Sequence, residues 1–408
     1  MKPLGPIPAG FETLGGELAI AGHRASEIVE QAGQTPLFVY SADRLRARMA
    51  ELRAAMPDQL HLHYAMKANP FAPLLRLMGQ LVDGFDIASG GELALALDAG
   101  LDSARISFAG PGKRDAELEQ AITHEVTLNC ESPAEITRAL AIGDRIGRAP
   151  QLAIRVNPSF ELRGSGMKMG GGAKPFGMDE ALVVDAARAI LASGAQWRGL
   201  HIFTGSQALD ASAIAETQGN VLTLAARLTQ DIGAPLPHLN MGGGLGIPYF
   251  HGDQPLDLAA VGGPLAERLA NLPPELAGTE FAMELGRYLV GESGVYLTRI
   301  VDRKESHGQI FLITDGGLHH QLAASGNFGT VVRRNYPLAI ATRFGASAEE
   351  EANVVGCLCT PLDRLADQAA LPRADVGDLV AVFCAGAYGA SASPSAFLGQ
   401  GPAGEILL

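Results

Sequence analysis

Eight short β-like runs, each followed by a segment with helical spacing, constrain the fold of this chain more than any other feature. Eight strands that alternate with helices favour an α/β fold. They predict a closed, TIM-like (β/α)₈ barrel rather than an open doubly wound sheet. The predicted strands are His61–Lys67, Phe85–Ser89, Ile106–Gly110, Val126–Cys130, Leu152–Asn157, Gly199–Thr204, Leu239–Gly242 and Phe281–Leu285.

The segments between these runs are rich in Ala and Leu at helical spacing. Ser132 followed by Glu135 predicts a capping box at the start of one of them. The predicted helices cover 71–81, 91–99, 115–122, 132–147, 179–194, 210–230 and 258–271.

The pattern changes after residue 287, where predicted strands are separated by Gly and Pro turns with little helical periodicity. This indicates a β-rich second domain, either a sandwich or a barrel. We predict a barrel domain at 36–287 and a β-rich domain built from 1–35 and 288–408. The predicted strands of the second domain are Tyr288–Val301, Gln309–Thr314, Asn353–Val355 and Asp378–Cys384.

Charge and hydropathy exclude several classes of partner. The chain has 44 Asp and Glu against 31 Lys and Arg, so its formal net charge is −13. Because phosphate contacts need clustered Lys and Arg, this balance argues against a nucleic acid or an anionic membrane as a partner. The sequence contains no stretch of about 18 apolar residues that would span a bilayer.

Cysteine usage favours a reducing compartment. Cys130, Cys357, Cys359 and Cys384 form no Cys-x-x-Cys pair, and a chain of this length does not need disulfide bonds. The first 22 residues contain Pro and Gly throughout and no continuous apolar run, unlike a signal peptide. We therefore expect a cytoplasmic protein.

Polar side chains and glycines stand at the carboxyl ends of six of the eight predicted strands. In (β/α)₈ barrels the active groups gather at this end. The rim is therefore the predicted active site. Its members are Lys67, Asp86, Ser89, Arg155, Asn157, His201, Thr204, Gly242, Gly243, Gly244, Glu284, Gly286 and Arg287.

Lys67 closes an apolar strand, so we expect it to point into a partly desolvated pocket. Desolvation lowers the pKa of a lysine and frees its amine for Schiff-base chemistry. The alternative is a strand-end lysine that extends its charge into solvent. The nearby glycine turn and Glu284 favour the first interpretation.

Gly242, Gly243 and Gly244 have no side chains to keep an anion from their backbone N–H groups. A plain tight turn is the alternative. The turn is not a dinucleotide-binding fingerprint, because Ile247 occupies the third glycine position of that motif.

Glu284, if buried, needs a cationic partner. A protonated pyridine nitrogen would serve, and Arg287 is the alternative. His201 either lies against a flat ring or is an ordinary core histidine. The remaining histidine pairs lack a third ligand, so we predict no metal site.

Motifs along nearly the whole chain resemble those of the fold-type III pyridoxal-phosphate-dependent decarboxylases, the group of diaminopimelate and ornithine decarboxylases. They are Tyr64–Asn69, Gly84–Glu92, Gly242–Gly244, Glu284–Tyr288, Cys359 and Gly386–Gly389. A narrower likeness is to glutamyl-[acyl-carrier-protein] decarboxylases and to decarboxylases encoded with exosortase systems. It rests on Met167–Gly170, Phe176–Glu180, Arg334–Pro337 and Leu358–Pro361.

The resemblance implies pyridoxal 5′-phosphate as the cofactor. Lys67 would bind it as a Schiff base, His201 would stack on its ring, and Glu284 would pair with the protonated ring nitrogen. A carboxylate at that nitrogen fits decarboxylation, because the ring must accept the electron pair left by CO₂. It argues against racemisation, for which this fold typically places Arg there. The other implied cofactor contacts are Asp86, Thr204, Gly242, Gly243, Gly244, Gly286, Arg287 and Tyr388.

The resemblance also implies three catalytic residues: Lys67, Glu284 and Cys359. Cys359 would protonate the product carbon from the partner subunit of a homodimer with shared active sites. The candidate substrate contacts are Arg155, Arg287, Arg333, Tyr336, Thr360 and Tyr388.

One departure from the family concerns the substrate. Diaminopimelate and ornithine decarboxylases carry an acidic residue directly after this cysteine, to meet a distal ammonium group. Here the residue is Thr360, and a neutral hydroxyl is a poor counter-charge for a cation. Asp363 is the acidic residue that would substitute for it.

We therefore expect a decarboxylase of an α-amino acid, either free or carried as a thioester such as glutamyl on a carrier protein. The alternative is diaminopimelate decarboxylation in lysine biosynthesis, or a related ornithine or lysine decarboxylase. A binding protein without cofactor would lack Lys67 or the glycine turn, and both are present.

Overall fold

Eight parallel strands close into a barrel in this computed structural model, which describes residues 1–327 and 333–408. The barrel unit comprises Arg48–Gly246 and Leu256–Gly286. Each strand pairs with the next along the chain, and the eighth pairs with the first. The strands are β1 (Leu60–Ala65), β2 (Gly84–Ile87), β3 (Ile106–Phe108), β4 (Thr127–Cys130), β5 (Gln151–Asn157), β6 (Gln196–Ile202), β7 (His238–Gly243) and β8 (Glu280–Leu285).

A helix follows each of the first seven strands, which confirms the predicted barrel. Both ends of every predicted helix lie within three residues of the ends of an observed helix. Among the described residues, no helix is both long and apolar enough to cross a membrane. The helices are α1 (Ala72–Met78), α2 (Gly90–Asp98), α3 (Asp115–Thr123), α4 (Pro133–Ile146), α5 (Glu180–Ala192), α6 (Ala211–Ile232) and α7 (Leu258–Ala270).

The start of α4 differs from the predicted capping box. Ser132 Oγ accepts the Glu135 N–H at 3.1 Å, as predicted. The Glu135 carboxylate instead accepts the Glu131 N–H at 3.0 Å and pairs with Lys113 at 2.5 Å. Lys113 is buried, and a buried ammonium group needs a counter-charge more than the helix end needs a second cap.

Three short strands complete the barrel unit. Met167–Lys168 pairs with Gly205–Ser206, and Met178–Asp179 extends the sheet beside β5. The helix Ala42–Ala55 precedes β1 in the chain.

The second compact unit comprises Met1–Ala47, Ile247–Pro255 and Arg287–Leu408, and it contains an eight-stranded mixed sheet. Leu37–Tyr40 belongs to this sheet, where it pairs with the long strand and with Gly404–Leu407. The other six strands, in spatial order, are Leu338–Ile340, Leu379–Val382, Gly294–Ser306 (the long strand), Gln309–Thr314, Glu350–Val355 and Arg364–Leu371.

The chain's first residues cover one face of this sheet. Strands Glu12–Leu14, Glu17–Ile20 and His23–Arg24 form a small antiparallel sheet, and the helix Ala25–Ala32 follows. Apolar residues from these elements and from the large sheet form one buried core. Its members include Leu18, Ile28, Leu37, Val295, Leu379 and Phe383.

One predicted strand of this unit begins too early. Instead of a strand from Tyr288, the chain forms a short helix, Arg287–Val290, and a turn before the strand begins at Gly294. Ser293 Oγ donates to the Val290 carbonyl at 2.7 Å and closes this turn. The apolar run is buried throughout, so its hydropathy did not distinguish the helical turn from the strand.

Candidate active site

Three predicted site residues meet at the carboxyl end of the barrel. Lys67 lies in the turn Met66–Ala68 directly after β1, while His201 and Glu284 lie near the ends of β6 and β8. Glu284 Oε1 is 3.3 Å from Lys67 Nζ, and Glu284 Oε2 is 3.1 Å from His201 Nε2. The carboxylate of Glu284 therefore bridges an amine and an imidazole.

Glu284 is ionised despite its burial. Only 6% of the residue is exposed, and burial raises the pKa of its carboxyl group. The Lys67 ammonium, the His201 hydrogen bond and the charge of Arg155 act against burial. Together they bring the pKa well below its usual range. At neutral pH the site thus offers a buried negative charge to a cation.

Lys67 is accessible as well as paired. Its side chain is 42% exposed, and its ammonium nitrogen lies 5.4 Å from the centre of the Phe203 ring. Glu92 belongs to the same electrostatic environment. Burial raises the pKa of its carboxyl group, the charge of Lys67 lowers it and the charge of Glu284 raises it. Glu92 stood in a family-like motif without a predicted role, and Phe203 carried no signal in the sequence.

The glycine turn has backbone geometry that other residues would disturb. Gly242 and Gly244 have φ values of 68° and 86°. A Cβ on Gly243 would lie 2.0 Å from the Glu284 carbonyl oxygen. Gly286 is similarly crowded, since its Cβ would lie 2.9 Å from that of Ala68. These positions need glycine. Within the turn, the Gly242 N–H donates to Asn240 Oδ1 at 2.9 Å.

Arg155 is held by its own chain. It pairs at 2.9 Å with Glu131, which also accepts the N–H groups of Gly110 at 2.6 Å and Gly177 at 2.8 Å. Burial raises the pKa of Glu131, but Arg155 and the Gly177 N–H bring it below its usual value. Glu131 was missed, although an acidic residue directly after β4 was a signal of the kind used for the other strand ends.

Asp86 and Thr204 also lie in the barrel unit, where each has hydrogen-bond partners of its own. Asp86 Oδ1 accepts hydrogen bonds from Ser107 Oγ at 2.5 Å and from Asn240 Nδ2 at 3.3 Å. The Thr204 carbonyl accepts the N–H groups of residues 169 and 170 at 3.1 Å, and so anchors the glycine-rich segment. Their predicted contacts with a cofactor stay predictions.

A second group of predicted residues clusters in the β-rich unit. Arg287 Nη1 donates to Tyr249 Oη at 2.9 Å, and its guanidinium carbon lies 4.7 Å from the centre of the Tyr388 ring. Burial lowers the pKa of Arg287, but Tyr249 and Tyr388 bring it above its usual value. The Tyr336 ring centre lies 4.8 Å from that of Tyr249. Tyr249 was missed.

Cys359 and Thr360 lie on an exposed turn of the same unit. The turn is tied down by Asp363, which is 2% exposed and accepts the N–H groups of Leu318 at 2.7 Å and Leu358 at 2.8 Å. Thr360 N–H donates to the Leu358 carbonyl at 2.8 Å. The side chain of Asp363 therefore stabilises the conformation of this turn.

Arg333 contacts other residues of the β-rich unit in the described part of the chain. It pairs with Asp367 at 2.6 Å and donates to the carbonyls of Ser325 at 3.1 Å and Arg364 at 2.9 Å. Its predicted contact with substrate stays a prediction.

Residues 42–291, more than half of the chain, match the family model described as "Pyridoxal-dependent decarboxylase, pyridoxal binding domain". The chain belongs to the pyridoxal-dependent decarboxylases. This confirms the resemblance, the enzyme class and the cofactor that the motifs predicted.

Similar proteins agree with this assignment over nearly their whole length. The decarboxylase is 35% identical over 382 residues to L-glutamyl-[BtrI acyl-carrier protein] decarboxylase of Niallia circulans, covering 92% of this chain and 89% of that one. It is 33% identical over 384 residues to diaminopimelate decarboxylase of Aquifex aeolicus, covering 92% and 86%. The crystal structure of diaminopimelate decarboxylase from Helicobacter pylori complexed with L-lysine matches with a TM-score of 0.81 at 27% identity, covering 94% of each chain.

The barrel residues of the decarboxylase fit pyridoxal phosphate. Lys67 offers an amine to an aldehyde, and Glu284 offers a buried carboxylate to a protonated pyridine nitrogen. In the glycine turn the Gly242 N–H is taken by Asn240 Oδ1, so a phosphate would be held by the N–H groups of Gly243 and Gly244. Of the two ring nitrogens of His201, Nε2 bonds to Glu284, whereas Nδ1 is buried without a hydrogen-bond partner among the described residues.

Proposed function

We propose that this decarboxylase acts on an α-amino acid whose distal end carries no positive charge, such as a glutamyl group held as a thioester on a carrier protein. The observation that carries the proposal is the combination of neutral Thr360 after Cys359 with the burial of Asp363. The similarity to the Niallia circulans enzyme supports it.

Different barrel residues bind and orient the cofactor in this proposal. Bound pyridoxal phosphate supplies an acceptor for the electron pair that is left when CO₂ departs. In our proposal Lys67 Nζ would hold the cofactor covalently at its aldehyde carbon. Glu284 would keep a proton on the pyridine nitrogen, and a 3.1 Å hydrogen bond with His201 fixes the Glu284 carboxylate.

Cys359 is the proposed donor of the proton that replaces the lost carboxylate. Its thiol is free and exposed, so it is available to a substrate. Thr360 follows it on the same turn and would face the distal part of the substrate. A threonine hydroxyl donates a hydrogen bond to the carbonyl oxygen of a neutral amide or thioester but leaves an ammonium group without a counter-charge.

Asp363 does not offer the missing charge without a structural loss. Its two oxygens already accept the N–H groups of Leu318 and Leu358. Turning the carboxylate towards a substrate would leave both buried donors unpaired, at about 1–3 kcal/mol each. The Asp363 alternative is therefore disfavoured.

The competing candidate is diaminopimelate decarboxylation, or that of ornithine or lysine. The similarity to the Aquifex aeolicus enzyme and to the Helicobacter pylori structure favours it. It requires a counter-charge for the distal ammonium group that Thr360 does not supply.

A substrate panel separates the two candidates. CO₂ release would be measured from carrier-bound glutamyl thioester, free glutamate, diaminopimelate, lysine and ornithine, with Lys67→Ala as the blank. We expect the highest kcat/KM for the thioester and no release above background for the variant. Faster release from diaminopimelate would overturn the substrate proposal, and full activity of Lys67→Ala would overturn the role of Lys67.

We also propose that two copies of the chain share their active sites. In this arrangement the barrel of one subunit supplies Lys67 and Glu284, and its partner supplies Cys359. The family resemblance supports the arrangement, and it is compatible with the separation of these residues into different compact units of the chain.

A further inference from the structure

Asn240 connects the glycine turn with Asp86 through hydrogen bonds. It is a buried residue of β7, with 3% of its surface exposed. Its Oδ1 accepts the Gly242 N–H at 2.9 Å, and its Nδ2 donates to Asp86 Oδ1 at 3.3 Å. The backbone N–H of Gly242 only donates, so the amide oxygen of Asn240 faces Gly242 and its nitrogen faces Asp86.

Asn240 also stands at an irregularity of the barrel. It pairs with Ala282 of β8, whereas the next paired residue of β7 is Gly243, opposite Glu284. Three steps along β7 therefore match two steps along β8, which is the signature of a β-bulge. The hydrogen bond from Gly242 to Asn240 spans this bulge.

The bulge sets the position of the glycine turn relative to Glu284. Gly243 lies so close to the Glu284 backbone that a Cβ would be 2.0 Å from its carbonyl oxygen. A shift of register would move the N–H groups of the turn away from the strand that carries Glu284.

Asp86 anchors Asn240 from the other side. Ser107 Oγ donates to Asp86 Oδ1 at 2.5 Å, and Asn129 Nδ2 donates to Ser107 Oγ at 3.0 Å. Hydrogen bonds thus run across the barrel interior from β4 through β3 and β2 to β7. Because Asn129, Asp86 and Asn240 are buried and Ser107 between them is partly buried, the orientation of the Asn240 amide is constrained.

We propose that Asn240 is a positioning residue for the phosphate of the cofactor, which it controls by holding the β7 bulge. Asp86 then acts one step from the cofactor, as the anchor of Asn240. The proposal rests on the glycine turn holding the phosphate, and it is independent of which amino acid is decarboxylated.

The test compares pyridoxal phosphate with pyridoxal, which lacks the phosphate. Both would be titrated by absorbance into full-length protein that has been stripped of cofactor. Removing a buried hydrogen-bond pair typically costs enough to weaken binding about tenfold. For Asn240→Leu we expect a loss of about that size for pyridoxal phosphate and a much smaller one for pyridoxal, because only the phosphate meets the turn.

A charge-exchanged pair provides rescue. Asn240→Asp sets a second carboxylate beside Asp86, so it should lose affinity for pyridoxal phosphate. Adding Asp86→Asn restores a hydrogen bond between positions 86 and 240, with the amide donor now at position 86 and the carboxylate acceptor at position 240. The double variant should therefore recover most of the lost affinity for pyridoxal phosphate. The matched control is Asn353→Ala, which removes an equally buried amide from the β-rich unit and should leave both affinities unchanged.

The outcomes separate the proposal from its premise. If the unaltered protein binds pyridoxal as tightly as pyridoxal phosphate, the phosphate role of the glycine turn is wrong. If it discriminates but Asn240→Leu weakens both ligands equally, or neither, the positioning role of Asn240 is wrong. Should Asn240→Leu fail to fold, the charge-exchanged double variant decides by its recovery or lack of recovery.

Discussion

At the scale of single residues, the protonation state of Glu284 is set by its neighbours rather than by its burial. Burial alone would favour the neutral carboxyl group, yet Lys67, His201 and Arg155 hold its pKa below the usual range. A neutral acid would not keep a proton on a pyridine nitrogen. Without cofactor, the Lys67 ammonium group is the cation beside Glu284. With the cofactor bound through Lys67, the protonated pyridine nitrogen would take its place.

Thr360 gives a prediction at this scale. Thr360→Asp introduces the acidic residue that ammonium-bearing substrates need. Because a charge-assisted hydrogen bond contributes about 1.5–3 kcal/mol, we expect the ratio of kcat/KM for diaminopimelate to that for the glutamyl thioester to rise at least about tenfold. Steady-state CO₂ release measures both constants.

Thr360→Asn is the matched control for this variant, because it has the shape of Asp without the charge. Its ratio should stay close to that of the unaltered enzyme. An equal change in both variants would mean that residue 360 acts through its shape and not through its lack of charge.

At the scale of elements, charged side chains on a strand are fixed by partners both on that strand and in segments distant along the chain. Asp367, on the strand Arg364–Leu371, is one such hub in the β-rich unit. It pairs with Lys2 at 3.2 Å and with Arg333 and Arg364 at 2.6 Å each. Burial raises its pKa, but these cations bring the pKa to about 2.

This hub predicts an acid-dependent loss of stability. A carboxyl group whose folded pKa is below its unfolded value stabilises the fold above the unfolded pKa and stops doing so as pH falls through the folded one. From a fall in pKa to about 2, we expect Asp367→Asn to lower the free energy of unfolding by about 2 kcal/mol at pH 7. Urea unfolding at fixed pH values would measure it.

The variant should also lose less stability than the unaltered protein between about pH 4 and pH 2, because the group that titrates there is gone. Asp302→Asn, at an exposed position, is the control and should change stability by less than about 0.5 kcal/mol. Parallel pH profiles for the protein and Asp367→Asn would contradict the prediction.

At the scale of the whole molecule, the predicted site residues fall into two groups in two compact units. Lys67, His201 and Glu284 belong to the barrel unit, whereas Arg287, Cys359 and Tyr388 belong to the β-rich unit. The predicted domain boundaries at 36–287 stay a prediction, as does the homodimer. Shared sites would make each subunit incomplete without its partner.

Mixing two inactive variants tests that arrangement. Lys67→Ala and Cys359→Ala subunits, co-expressed with different tags, form mixed dimers in which one of two sites has both residues intact. Random pairing makes half of the dimers mixed, so we expect about one quarter of full activity. CO₂ release from the purified mixture measures it.

The control mixes Lys67→Ala with Glu284→Ala. Both residues belong to the barrel, so no site of a mixed dimer would be intact and activity should stay at background. If the first mixture is also inactive, each active site is built from one chain and the shared arrangement is wrong.

The sequence by itself determined the alternation of strands and helices, the rim position of Lys67, His201 and Glu284, and the glycine turn. These follow from periodicity and from the direction of parallel strands, which are local properties of a chain. They were enough for the barrel, whereas the family came from the resemblance of the motifs along the chain.

Only the tertiary structure decided the partners of the charged and amide side chains. It paired Arg155 with Glu131, Arg333 with Asp367, and Asp363 with two backbone donors, and it placed Asn240 between Asp86 and Gly242. Each of these contacts joins residues from different elements or depends on a bulge whose register no periodicity records. Which buried polar group meets which is set by packing in three dimensions, so the sequence pattern could mark these residues as polar but could not match them.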